Sequence, residues 1–198
     1  MDYYDLGSYT RTVTTAVPDA QLWFDRGLNW LFGFNHAEAI ACFQKALERD
    51  PGCAMAYWGI SYAAGPNYNL PWHLYDPAGK AAALAAAYDA MQGALARAGG
   101  AGPVEQALIR ALPARYPQRE AIENQAPWDA AFADAMRQVF HAHRDDLEVR
   151  SVFAEAIMNL TPWKMWDLRS GGIAEGAGTA QAVDVLESAF RDISIRWT

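Results

Sequence analysis

Cysteine is scarce in this chain: Cys42 and Cys53 are the only two in 198 residues. Two cannot make a disulfide framework, and Cys42 stands among helical apolar residues, so both read as small core residues of a reduced, cytoplasmic protein. Basic charge is short as well. Sixteen Lys and Arg against 23 Asp and Glu leave a formal net charge of −7, the wrong sign for neutralising phosphates, so no nucleic-acid partner is expected. Long hydrophobic runs are missing. The Ala-rich stretch 81–98 is interrupted by Asp89, Gln92 and Arg97, and no membrane span or membrane partner is expected. The start, Met1-Asp2-Tyr3-Tyr4-Asp5, has neither the basic nor the apolar part of a secretory signal. Catalytic signatures are also absent: there is no H-E-x-x-H, C-x-x-C or G-x-S-x-G, so catalytic residues stay unknown. Of the histidines, His141 and His143 lie two apart on a helical segment and point in different directions, and His36 follows a helix break. No metal and no cofactor are expected.

What is abundant is apolar and aromatic. Hydrophobic residues make up 52%, with eight Trp, which marks a packed chain of one or at most two domains. The apolar residues recur at helical spacing. Trp23, Gly27, Trp30 and Phe34 form one stripe, and Trp128, Phe132, Met136 and Phe140 another; Val149, Phe153, Ile157 and Leu160 form a third, and Val183, Leu186 and Phe190 a fourth. Asp76-Pro77 supplies a cap followed by proline at a helix start. Pro113 to Gln125 reads as a long polar connection, and Gly171 to Gly178 as a flexible one lacking the Lys of a phosphate loop. No segment sustains strand alternation except the short tail Ile193-Ser194-Ile195-Arg196-Trp197, which suits an extended segment. The fold class is all-α.

One stretch is more specific. Trp23, Gly27 and Trp30, then Ala39 and Phe43 as A-x3-F, Ala46, and a closing Asp50-Pro51 fall at the packing positions of a tetratricopeptide repeat; Arg26 stands where an apolar residue is usual. Gly27 and Ala39 let two antiparallel helices approach, and the aromatics fill the space beside them. Pro18-Asp19-Ala20-Gln21, Cys53-Ala54-Met55-Ala56-Tyr57-Trp58-Gly59, Gly65-Pro66-Asn67-Tyr68-Asn69, Arg115-Tyr116-Pro117 and Asn159-Leu160-Thr161-Pro162-Trp163 extend the likeness. On these residues the chain resembles tetratricopeptide-repeat (TPR) proteins of the bacterial and fungal type, from about Asp5 to Phe190. The resemblance implies a right-handed solenoid of antiparallel helix pairs. It also implies that this chain stops short at the C-terminus, since such proteins usually continue for several more helices. The expected organisation is an N-terminal extension over 1–18, a TPR-like domain over 19–190 and a C-terminal tail over 191–198.

An internal echo supplies the candidate site. Asn69-Leu70-Pro71-Trp72-His73-Leu74-Tyr75-Asp76 is matched by Asn159-Leu160-Thr161-Pro162-Trp163-Lys164-Met165-Trp166-Asp167. Each follows the first helix of a presumed pair, and a proline forbids the helix from continuing. Two such insertions on one side of a solenoid would bring Asn67, Asn69, Trp72, His73, Asn159, Trp163, Trp166 and Asp167 together as ligand-binding residues. The competing reading makes the tryptophans core plugs. Asn159-Leu160-Thr161 also matches a glycosylation acceptor, which Pro162 and a cytoplasmic setting make incidental. Two functions stay open. One is a scaffold binding a protein or peptide partner through a curved helical surface; the other is a small-molecule binder or enzyme with an aromatic pocket between the insertions. The apolar final helix and tail are expected either to fold back over the last helix or to pair with a second copy as a homo-oligomer through the C-terminal end; the competing reading is a disordered tail.

Overall fold

The computed structural model of the chain describes residues 3–196, with side chains as far as Asp192. Among the described residues the regular backbone is helical, without a strand, as expected. The helices are α1 Pro18–Phe32, α2 His36–Arg49, α3 Ala54–Ala64, α4 Pro77–Arg97, α5 Pro103–Arg115, α6 Ala126–Ala142, α7 Leu147–Met158 and α8 Thr179–Arg196. None is long and apolar enough to cross a membrane. The chain divides into two units. The first holds the residues up to Gly65 with Gly79–Leu112 and Gln118–Ala121; the second holds Pro66–Ala78, Pro113–Pro117 and the chain from Ile122 onward.

In the first unit α1 begins with proline in its first turn and an acidic Asp19 beside it, both favourable at a helix N-terminus. The Asn35 side chain caps α2 by accepting from the Glu38 amide at 3.4 Å. Helices α1, α2 and α3 pack on one another in turn, and α1 also touches α3. Their common centre is Phe43. Its ring lies between Gly27 of α1 and Gly59 of α3, where a Cβ on either glycine would stand 2.6 Å from it. Gly27, Ala39 and Phe43 are all buried, so the spacing read from the sequence reflects a packing requirement. Next to it, the Tyr57 ring fills the space over Gly93 of α4, and Ser61 Oγ donates to the Ala87 carbonyl at 2.8 Å.

The inward stripe of α1 differs from the one read in the sequence. Ala20, Phe24, Gly27, Leu28 and Leu31 face the core, while Trp23 and Trp30 are half-buried and Phe34 lies exposed beyond the helix end. The two indoles are covered by the N-terminal segment instead. Trp30 Nε1 donates to the Tyr3 hydroxyl at 2.8 Å, and the Tyr3 ring meets Trp23 edge-on at 5.2 Å. This also accounts for Arg26. Its guanidinium lies over the rings of Tyr3 and Trp23, 4.2 and 4.5 Å from their centroids, a contact worth about 0.5–2 kcal/mol. Both cysteines are free and buried. Burial pushes the Cys53 thiol up to about 11, far from the thiolate a reactive cysteine needs.

In the second unit α6, α7 and α8 pack in order. Asp146 caps α7, accepting from the Val149 amide at 3.0 Å. Val149, Phe153 and Ile157 face inward as spaced, but Leu160 lies past the end of α7 and is exposed. On α6, Phe132 and Met136 are buried, whereas Trp128 and Phe140 are half-buried. The stripe on α8 is reversed: Ala182 and Val185 are buried, and Val183 and Phe190 lie exposed. The backbone stays helical through Arg196 where alternation predicts extension. A helix already begun propagates at little cost, and Asp192 of α8 pairs with buried Arg150 of α7 at 2.6 Å. Trp197, also expected in the tail, and the side chains of Ile193 and Ile195 lie outside the described residues.

The supposed polar connection after Pro113 is corrected too. α5 runs through Pro113 to Arg115, since a proline in the final turn forfeits few backbone bonds. Arg115 and Tyr116 then turn into the second unit and are buried. Arg115 Nη2 donates to the Pro66 carbonyl at 2.5 Å, and the guanidinium lies over Phe132, 4.8 Å from the ring centre. Nearby, burial raises the Asp129 carboxyl from its ordinary 3.8 to about 6, against the downward pull of the Arg115 charge. A carboxyl raised in the folded state holds its proton there after the unfolded chain has released it. Its contribution is therefore full below pH 3.8 and is lost as pH rises through about 6. Asp129→Asn is expected to raise stability at pH 7 by on the order of 1–2 kcal/mol and to change it little below pH 4. Urea midpoints at both pH values check this.

Candidate functional site

The site is built by the loop after α7. Pro162 cannot continue a helix and disfavours helical backbone at the residue before it, and α7 ends at Met158 with Asn159 as its C-cap. The Lys164 amide then donates to the Thr161 carbonyl at 3.0 Å, closing a turn with Pro162 and Trp163 at its centre. Trp163 has φ +65°. Proline first and a positive φ second is the pattern of a type II turn, whose second central position favours glycine. A bulky side chain there costs about 1–2 kcal/mol. The strained tryptophan is not a core plug: it is 62% exposed.

After the turn the chain folds back on itself. Trp166 and Ile173 form an isolated antiparallel bridge, and the Asp167 amide donates to the Gly172 carbonyl at 2.9 Å. The Asp167 carboxylate holds the tip of this loop: it accepts from the Arg169 amide at 3.0 Å and from Ser170 Oγ at 2.6 Å. The Ser170 bond, foremost, keeps its carboxyl below the usual range. Met165 anchors the loop. It is buried, and its carbonyl accepts from Thr179 Oγ1 at 2.6 Å, at the start of α8. The stretch read as a flexible glycine-rich connector is therefore tied at both ends.

Between this loop and Tyr68 lies an open recess of about 700 Å³, lined by Tyr68, Trp163 to Leu168 and Ile173 to Glu175. The Tyr68 and Trp163 rings stand 5.6 Å apart, tilted by 32°. Tyr68 directly precedes the first insertion, so the residue that meets the second insertion here stands just outside the first. Trp166 is 52% exposed and Leu168 almost fully so. The lining offers aromatic and aliphatic faces with one fixed carboxylate, Asp167, and the charges of Lys164 and Glu175 around them. That chemistry suits binding an apolar or flat group beside a polar one.

The sequence-derived residues separate here. Trp163, Trp166 and Asp167 line the recess; Asn67, Asn69, Trp72, His73 and Asn159 do not. Asn67 is buried and shapes its own turn, its Oδ1 accepting from the Asn69 and Leu70 amides at 3.0 and 3.1 Å. Trp72 opens a short 3-10 turn and is buried, whereas His73 and Asn69 are exposed. Trp72 Nε1 and Asn159 Oδ1 are buried without a hydrogen-bond partner. The echo thus splits, one Pro-Trp filling the interior and the other presenting its indole to solvent. Tyr68, Lys164, Met165, Leu168, Ile173, Ala174 and Glu175 were missed as lining residues. The run Ser170-Gly171-Gly172 between apolar residues is a turn signal that could have placed Leu168 and Ile173 opposite one another.

Trp163→Gly is expected to stabilise the protein by about 1 kcal/mol, because glycine takes a positive φ without strain. Trp163→Ala, which keeps a Cβ, should be no more stable than wild type. Thermal unfolding of the two variants distinguishes a strained exposed tryptophan from a packed one.

Compared with protein-family models, curated proteins and solved structures, the chain finds no match.

Proposed function

We propose that this chain is a tetratricopeptide-like helical scaffold that binds a protein partner, with the recess around Trp163 as a principal contact. The observation that carries the reading is a strained tryptophan held in the open by a loop anchored at both ends. Beyond its contact with Tyr68 the indole is 62% exposed, and backbone strain of this kind concentrates at sites of function. Large aromatics that project from a rigid support are the usual anchors of protein interfaces. The repeat reading is supported by Phe43 between Gly27 and Gly59, the close helix approach that a stacked helix-pair architecture requires. A cytoplasmic setting is consistent with two free, buried cysteines.

Self-association through the C-terminal end belongs to the same reading, supported by exposed Val183 and Phe190 on α8. A small flat ligand stacked on Trp163 is the alternative, favoured by the Tyr68–Trp163 pair forming one wall. The openness of the recess favours the protein partner. The test is affinity capture with wild type and with Trp163→Ala/Trp166→Ala, followed by titration of the purified captured protein. A partner whose affinity falls at least tenfold in the double variant is the expected result. A partner indifferent to both changes, with a small ligand displaced from Trp163, would favour the alternative.

A further inference from the structure

The N-terminal segment is bound to α1 in an unusual way. Three polar residues on one face of α1, Gln21, Asp25 and Asn29, are spaced by four. They engage the backbone of Val13, Arg11 and Tyr9, spaced by two and running in the opposite direction. Gln21 Oε1 accepts from the Val13 amide at 2.9 Å and Gln21 Nε2 donates to the Arg11 carbonyl at 2.8 Å. Asp25 Oδ1 accepts from the Arg11 amide at 3.0 Å, and Asn29 Nδ2 donates to the Tyr9 carbonyl at 3.0 Å. The spacings fit. Four helical residues rise about 6 Å, and two residues of extended chain advance about 6.6 Å. The side chains of α1 thus stand where the edge of a neighbouring strand would stand.

Every one of these bonds goes to the main chain of the segment. The ladder therefore recognises extended backbone and leaves side-chain identity open. Selectivity comes from the two ends. Upstream, the Tyr3 phenol is received by Trp30 Nε1, by Cys42 Sγ at 3.0 Å, and by the Arg26 guanidinium over its ring. Downstream, Val13 is buried, and the Thr14 amide and hydroxyl both donate to the Glu105 carboxylate, at 2.7 and 2.5 Å. Main-chain bonds for affinity with side-chain pockets for selectivity are the design of an extended-peptide receptor.

We infer that the Gln21–Asp25–Asn29 face of α1 is a binding groove for an extended peptide, occupied in this chain by its own residues 3–15 as a displaceable strap. The peptide that displaces the strap carries a tyrosine and, ten positions later, a β-branched apolar residue followed by threonine, the layout of Tyr3, Val13 and Thr14. This groove lies within the first unit and shares no residue with the Trp163 recess.

The experiment uses the full chain and a fluorescein-labelled synthetic peptide of residues 3–15. Arg11→Pro/Val13→Pro removes two amide donors that the ladder reads and leaves α1 unchanged. The expected result is peptide binding at least tenfold tighter to this variant than to wild type, and reversal of that gain when Asp25→Ala and Gln21→Ala are added. A folded proline variant that binds the peptide no better than wild type would overturn the inference. Hydrogen exchange on the wild-type chain gives an answer that does not depend on the variant folding. The Arg11 and Val13 amides should exchange at least 100-fold faster than those of Leu28 and Phe43, through release of the strap alone. Equal protection at all four would mean that the segment leaves only when the protein unfolds, and would also overturn it.

Discussion

Phe43→Ala is expected to lower stability by about 3–5 kcal/mol, the range for emptying a fully buried phenylalanine site. Two features put it at the upper end. Phe43 has no exposure at all, and its ring fills the gap that two glycines leave open beside it. Neither Gly27 nor Gly59 has a side chain to relax into the hole. The converse substitution tests the same contact. Gly27→Ala places its Cβ 2.6 Å from the ring, and overpacking of this kind costs about 1–3 kcal/mol. In the Phe43→Ala background that Cβ has room, so Gly27→Ala should become neutral or favourable. A double-mutant cycle by urea denaturation measures the coupling. Additive effects would show that Gly27 and Phe43 do not share one packing site.

Arg115→Ala should be comparably damaging, by about 3–5 kcal/mol, as expected when one member of a buried charged set is removed. The guanidinium is buried, holds the Pro66 carbonyl, and stacks on Phe132. Its loss has a second signature that simple loss of packing would not produce. The Arg115 charge pulls the Asp129 carboxyl down against burial, which has already raised it to about 6. Without that charge the carboxyl rises further. The pH window over which stability falls then extends upward from pH 6, and the sign stays the same: the variant is relatively more stable in acid. Arg115→Met fills similar volume without charge and should recover part of the packing but none of the pH effect. Stability curves from pH 4 to 8 for both variants read the two contributions separately.

Much of the helical framework was legible because its signals are local. Asn35, Asp146 and the prolines of α1, α4 and α6 mark helix starts through side-chain and ring chemistry that acts within one turn. The burial of Gly27, Ala39 and Phe43 was legible as well, since a close helix approach admits few residue types. Errors arose where a neighbour distant in the chain decides. Trp23 and Trp30 read as core because nothing near them in sequence announces that Tyr3 will cover them. Val183 and Phe190 read as inward because an apolar stripe carries no label for which side has a partner. Arg115 read as a polar connection because its burial depends on Pro66 and Phe132, 49 residues before it and 17 after.

By itself, then, the sequence determined the all-α class, the principal helix starts and the small residues at the Phe43 contact. Capping, helical period and steric volume are properties of a few consecutive residues or of one repeated spacing, so they survive without a tertiary frame. Only the tertiary structure decided which Pro-Trp pair is buried and which is exposed. Trp72 and Trp163 have the same local preference, and the difference lies in what surrounds them: one is enclosed, while the other is held at φ +65° by a loop whose anchors are Met165 and Thr179. It also decided that Gln21, Asp25 and Asn29, which read as ordinary polar residues of a helix, grip an extended segment. Hydrogen-bond partners that approach from elsewhere in the chain leave no periodic trace in the residues they meet.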